Sequence, residues 1–143
     1  MTSIAARRSQ TALHPLHAIL LAFAPSSFTG ALLSDLAYWS SYQVQWLNFS
    51  AWLIVAGLIG GGFALLWALI DLFRRGTGRR GGPPGYVLAL AAAWVIGFVN
   101  ALVHAKDAWA TMPSGLYLSA ICAVLALAAA WIGHSGHRAQ EVG

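Results

Sequence analysis

Four long apolar stretches fill the chain, and short polar segments separate them. They run over Leu16–Trp39, Leu47–Phe73, Tyr86–Ala105 and Leu116–Gly133. Each is about 20 residues or slightly longer, the length at which a helix crosses a hydrocarbon core ~30 Å thick. In lipid a backbone must satisfy its own polar groups, so spanning stretches of this length are expected to be helical. The pattern therefore predicts an all-α fold, an integral membrane four-helix antiparallel bundle. It divides the chain into an amino-terminal segment 1–15, a transmembrane domain 16–133 and a tail 134–143. Within the domain, a linker over 74–85 joins the second and third spans.

Composition supports this assignment. Of 143 residues, 59% are hydrophobic and only 8% charged, whereas a typical soluble domain carries about 25% charged residues. The net charge of +4 comes from arginines flanking the spans. No basic stripe interleaved with aromatics occurs, so nucleic acid is not an expected partner. The single cysteine, Cys122, lies deep in the fourth span and forms no metal or haem-attachment pattern.

Charge sets the expected orientation. Arg7 and Arg8 precede span one, Arg74, Arg75, Arg79 and Arg80 lie between spans two and three, and Arg138 follows span four. Only Lys106 stands on the other side. By the positive-inside rule both termini and the central linker face the cytoplasm. In a bacterium this predicts an inner-membrane protein whose 1–2 and 3–4 loops are periplasmic. Arg7-Arg8 followed by an apolar run ending Ala22-Phe23-Ala24 also has the outline of a signal peptide. The run continues to Trp39, however, and cleavage would leave only three spans. Trp39, Tyr42, Trp46 and Trp109 fall at the inferred periplasmic ends and read as an aromatic belt.

Small residues at four-residue spacing predict how the helices pack, because lipid gives helices no hydrophobic reason to associate. Span one offers Ala22, Ser26, Gly30 and Ser34; span two Ala56, Gly60, Ala64 and Ala68, with Gly57 and Gly61 alongside. Span three offers Ala93, Gly97, Ala101 and Ala105; span four Cys122, Ala126 and Ala130. These faces would also permit oligomers. Pro25 is expected to kink span one and free a carbonyl near Leu21, with Ser26, Ser27 and Thr29 at hand to satisfy it.

Ionisable residues inside a bilayer are costly and are candidate functional groups. They fall into two layers. A cytoplasmic layer holds His14, His17, Asp71 and His134, a set that could relay protons, bind a metal or simply cap helix ends. A periplasmic layer holds Asp35, Asn100 and His104. Asn100 and His104 are four apart and share a helix face, and antiparallel packing sets them near Asp35. An Asp35–His104 hydrogen bond with Asn100 as third member is the expectation, as a site or as interhelical glue. His17 and Asp35 share a face of span one but stand roughly 27 Å apart at 1.5 Å per residue, too far for one small ligand. Haem b is the cofactor the histidines bring into question. It would need two facing histidines at one depth, which His17 and His134 offer only at the membrane boundary, and His104 has no histidine at its level. No nucleophile or zinc motif stands at a diagnostic spacing, so no catalytic residue is assigned.

The order of motifs is similar to that of a known family. His14-Pro15-Leu16-His17 opens span one and Asp35 closes it. Ala51-Trp52, Ala56-Gly57-Leu58 and Ile70-Asp71 follow, then Asn100 and Trp131-Ile132-Gly133. This resembles the bacterial inner-membrane proteins of domain-of-unknown-function family 2231. Ala18 stands where the family usually has a second proline, Phe23-Ala24-Pro25 displaces a later Phe-Pro pair, and His134 replaces a small residue. The resemblance implies four membrane helices and no established activity. It also implies an accessory or anchoring role beside periplasmic redox proteins such as Rieske-type or quinoprotein dehydrogenases. The residue reading keeps a rival, a small proton-coupled permease using the two polar layers.

Overall fold

The computed structural model describes residues 15–74 and 84–142, with side chains at 16, 18–74 and 84–135. Five helices follow in order: α1 (Pro15–Ser41), α2 (Val44–Arg74), α3 (Pro84–His104), the single turn α4 (Ala108–Thr111) and α5 (Ser114–Val142). The described residues contain no strand. Four of the helices are long and apolar enough to cross a membrane, so the chain is an all-α membrane bundle. α1 packs on α2, α2 on α3, α3 on α5 and α5 on α1, a square in which every neighbour runs antiparallel.

Local chemistry explains the helix ends. Pro15 and Pro84 open α1 and α3, where the missing N–H costs nothing because first-turn donors have no helical partner. At the end of α1, Tyr42 N–H donates to the Tyr38 carbonyl at 2.7 Å. Tyr42 adopts φ 54°, the left-handed conformation that reverses the chain at a helix C-terminus. Its ring meets Tyr38 edge-on at 6.2 Å. Gln43 then leads straight into α2. Pro25 leaves α1 a continuous helix. Of the three hydroxyls beside it, Ser26 donates to the Ala22 carbonyl, while Thr29 Oγ1 is buried without a partner.

The interior is built from small side chains and the exterior from large ones. One core cluster joins Ala24, Phe28, Ala31, Ile54, Ala93, Cys122 and Ala126. A second, toward the Asp71 end, joins Leu21, Ala64, Ala68, Tyr86, Leu90 and Ala129. Phe63, Leu88, Val95, Tyr117, Val124 and Trp131 project outward, where lipid is as apolar as a core. The small-residue stripes distribute accordingly. On α2, Gly57, Gly60, Gly61, Ala64 and Ala68 are buried, and on α3 Ala93 and Gly97. On α1 the expectation holds at Ser34, which is buried, and is corrected at Ala22 and Ser26, which are exposed; the inward face also carries Leu21, Ala24, Phe28, Ala31 and Asp35. Size alone admits a residue to either environment, and the partner surface decides.

That partner surface is glycine. A Cβ added at Gly57 would stand 2.9 Å from the Phe28 ring, and one at Gly97 3.0 Å from it. The ring of α1 thus lies in a cradle that α2 and α3 form by having no side chains there. Trp94 uses Gly62 similarly, and its indole N–H donates to the Leu58 carbonyl of α2 at 3.0 Å.

Candidate functional site

At one end of the bundle, five polar side chains from all four long helices meet. Asp35 comes from α1, Ser50 from α2, Asn100 and His104 from α3, and Ser119 from α5. Asp35, Ser50 and Asn100 are 0% exposed, and the His104 side chain is 1% exposed. Asp35 Oδ1 lies 3.0 Å from His104 Nε2. The Ser119 hydroxyl donates to Asp35 Oδ2 and accepts from Asn100 Nδ2 at 2.8 Å. His104 Nδ1 lies 3.0 Å from the Asn100 carbonyl oxygen. The four groups close a ring: Asn100 to Ser119 to Asp35 to His104 and back to Asn100. Asn100 therefore reaches Asp35 through Ser119 and not directly.

The directions of these bonds constrain the protons. A backbone carbonyl only accepts, so His104 carries a proton on Nδ1. Between Nε2 and Asp35 Oδ1 a single further proton is held, on the imidazole or on the carboxyl. Either way the pair is net neutral, the form in which a buried carboxylate and a buried cation are tolerated. His104 is also the last residue of α3, where the helix dipole favours a positive group. Ser50 completes the set. It donates to the Ala31 carbonyl at 3.2 Å, and its oxygen lies 3.3 Å from His104 Nε2.

Space for the imidazole comes from the start of α5. A Cβ at Gly115 would stand 2.9 Å from His104 Cε1 and 2.9 Å from Thr111 Cγ2. Thr111 on α4 is itself fully buried, so α4 and Gly115 together close the ring off at that side.

The other layer is arranged differently. His14 lies outside the described residues, and so does the side chain of His17. Asp71 is exposed on α2. His134 is exposed on α5, its Nδ1 2.7 Å from the Ala130 carbonyl of its own helix. No hydrogen bond or ion pair joins Asp71 to His134. Among the described residues no three His, Cys, Asp or Glu side chains gather as metal ligands do.

Ser50 and Ser119 have no place in the sequence reading. A membrane serine usually bonds its own helix, as Ser26 and Ser34 do here, so the residue type carries little signal. Depth was the usable one, since both lie one to two turns inside the end of their helices that faces Asp35. Outside the ring, a shallow groove of about 320 Å³ lies among Gln43, Gln45, Trp46, Asn48, Phe49 and Trp52. Trp39, Tyr42 and Trp109 are exposed at the same end of the bundle.

A family model described as "Predicted membrane protein (DUF2231)" matches residues 13–143. No curated protein and no solved structure matches the chain.

Proposed function

The chain belongs to the predicted membrane protein family DUF2231, and from that premise we propose that it is a non-enzymatic accessory subunit that holds a partner protein at the membrane. The observation that carries this reading is the sealing of the polar ring. A site that turns over substrate needs access, whereas Asp35 and His104 are 0% and 1% exposed. Tying four helices at one end makes a rigid platform, and the exposed aromatics and the carboxamide groove stand on that platform. By arginine asymmetry the platform faces the periplasm of a bacterial inner membrane. The family resemblance makes an exported redox protein the partner class, with haem or quinone nearby in the assembly. Mild-detergent pull-down of the tagged chain from its native membrane tests it. A redox protein should co-purify, and its loss on charge substitution at Trp109 and Trp46 would locate the platform. A chain that purifies alone and shows no Soret band in the membrane rejects both the partner and the haem.

A second reading rests on a different observation, the exchangeable proton between Asp35 and His104. It makes the chain a small proton-coupled permease. Unchanged solute and proton fluxes in Asp35→Asn and His104→Gln would remove it.

A further inference from the structure

The outward face of α2 changes character along its length. Gln45, Asn48, Phe49 and Trp52, followed by Val55, Ile59 and Phe63, are exposed and fall at helical spacing on one side of the helix. The buried Leu47, Ser50, Ile54, Gly57 and Gly61 lie on the opposite side. The exposed face is therefore a flank of the bundle and not its end. Its first two turns mix carboxamides with aromatic rings, and beyond Trp52 it is wholly apolar.

This change falls at a defined depth. From Gln45 to Trp52 is about 10 Å at 1.5 Å per residue, and the headgroup layer of one leaflet is about 5–7 Å thick. The stretch straddles the boundary between headgroups and hydrocarbon. From Trp52 to Phe63 is a further ~16 Å, close to the ~15 Å of hydrocarbon in one leaflet.

The groove of about 320 Å³ lies on the first stretch, among the amides of Gln43, Gln45 and Asn48 and the rings of Trp46, Phe49 and Trp52. None of the six carries a charge. Each carboxamide offers N–H donors and an acceptor oxygen, the match for neighbouring hydroxyls, which also donate and accept. Gln43 bonds Ser41 through its backbone N–H alone, and no described residue takes the Gln45 or Asn48 amide. The aromatic faces suit an apolar C–H surface, and the indoles add donors at its edge. A phosphate headgroup would bring a full negative charge with no Lys or Arg in the groove to meet it. The first-turn N–H groups of α2 suit a hydroxyl oxygen as well as a phosphate. An aromatic belt accounts for the rings but not for three carboxamides gathered among them.

We propose that this groove binds the headgroup of a lipid that carries an uncharged sugar, with one chain laid along Val55, Ile59 and Phe63. The carboxamides hold the sugar hydroxyls, the rings cover its C–H side, and the apolar strip sets its depth. The ligand is a glycolipid of the leaflet on the Asp35 side. The proposal does not rest on the anchoring reading. That reading is judged by co-purification of a protein, and this one by selectivity among lipids.

The test reconstitutes the full chain in phosphatidylcholine nanodiscs. These hold equal small amounts of a glucosyl diacylglycerol, phosphatidylglycerol and diacylglycerol with the same chains. Native mass spectrometry of the released protein reads which lipid stays bound. Glucosyl diacylglycerol should exceed each of the other two by about tenfold or more, the factor that two ordinary hydrogen bonds supply. Combining Gln45→Ala with Asn48→Ala should bring it down to the level of diacylglycerol. Both positions are exposed, so the fold should stand. Equal retention of the three lipids leaves an aromatic belt alone and overturns the proposal. A preference for phosphatidylglycerol overturns it, as does a sugar preference that the double variant keeps. Free glucose that displaces the glycolipid at equal concentration also overturns it, because the chain would then contribute nothing.

Discussion

Replacing Asp35 and His104 with leucine, singly and together, measures what the pair contributes and what kind of contact it is. His104→Leu leaves a carboxylate that is 0% exposed with only the Ser119 hydroxyl to satisfy it. Removing one partner of a buried charge pair costs about 3–5 kcal/mol. Asp35→Leu is milder, because the imidazole can shed its Nε2 proton and keep its bond to the Asn100 carbonyl. Its cost is a lost hydrogen bond plus the stranded Ser119 hydroxyl, about 2 kcal/mol. The double variant strands neither charge, and Ser50 keeps its bond to Ala31, so it should cost about 2 kcal/mol as well. The sum of the singles then exceeds the double by about 3 kcal/mol or more. Neutral hydrogen bonds between membrane helices couple by about 0.6 kcal/mol on average and by ~1.7 at most. A coupling above that ceiling therefore identifies a charge-sharing pair. Reversible unfolding by sodium dodecyl sulfate in mixed micelles, followed by the fluorescence of the seven tryptophans, gives the four free energies. Additivity within about 0.5 kcal/mol would refute the shared-proton description of the ring. Asp35→Asn should cost only about 1 kcal/mol, because its amide accepts from Ser119 and donates to a neutral His104.

Four further substitutions have outcomes fixed by what a methyl group would meet. Gly57→Ala and Gly97→Ala push on a clamped ring, and each should destabilise by about 1–3 kcal/mol, read as an earlier midpoint in the same titration. Gly60→Ala meets Phe23 at a nominal 2.5 Å, but Phe23 is exposed and free to turn away, so its midpoint should stay close to wild type. Gly85 has nothing within 4 Å and lies in the first turn of α3, so Gly85→Ala should stabilise by about 0.5–1 kcal/mol, measured as a later midpoint. Trp94→Phe removes the indole donor to Leu58 and should cost about 1 kcal/mol, with the α2–α3 contact exchanging amide hydrogens faster than α1–α2.

The fold class was legible because length and apolarity are read against one external ruler, the bilayer. Packing was legible where geometry is simple. The glycines and alanines of α2 face inward because that stripe is continuous over about three turns and has large partners to receive. On α1 the same reasoning misread Ala22 and Ser26, since a small residue is equally at ease beneath lipid. The true inward face carries Phe28, whose bulk fits there because Gly57 and Gly97 on two other helices present no side chain to its ring. Asp35, Asn100 and His104 stood out because each is expensive in hydrocarbon. Ser50 and Ser119 did not, because a hydroxyl that can bond its own helix is cheap, and only the contact with a carboxylate or an imidazole gives it a role. That contact depends on which helices are neighbours in the square, which no single stretch encodes.

The ring also has a history in time. Asp35 is separated from Ser50 by a short hairpin, but from His104 by 69 residues and from Ser119 by 84. At about 5–20 residues per second, the ribosome needs roughly 3–14 s after making Asp35 to deliver the imidazole. Throughout that interval the α1–α2 hairpin exists as a half-built membrane protein with an unmatched acid near its turn. It must stay near the insertion machinery, or keep that end out of the hydrocarbon, until α3 arrives. A nascent chain that stalls before His104 shows an acid, and a finished chain hides it.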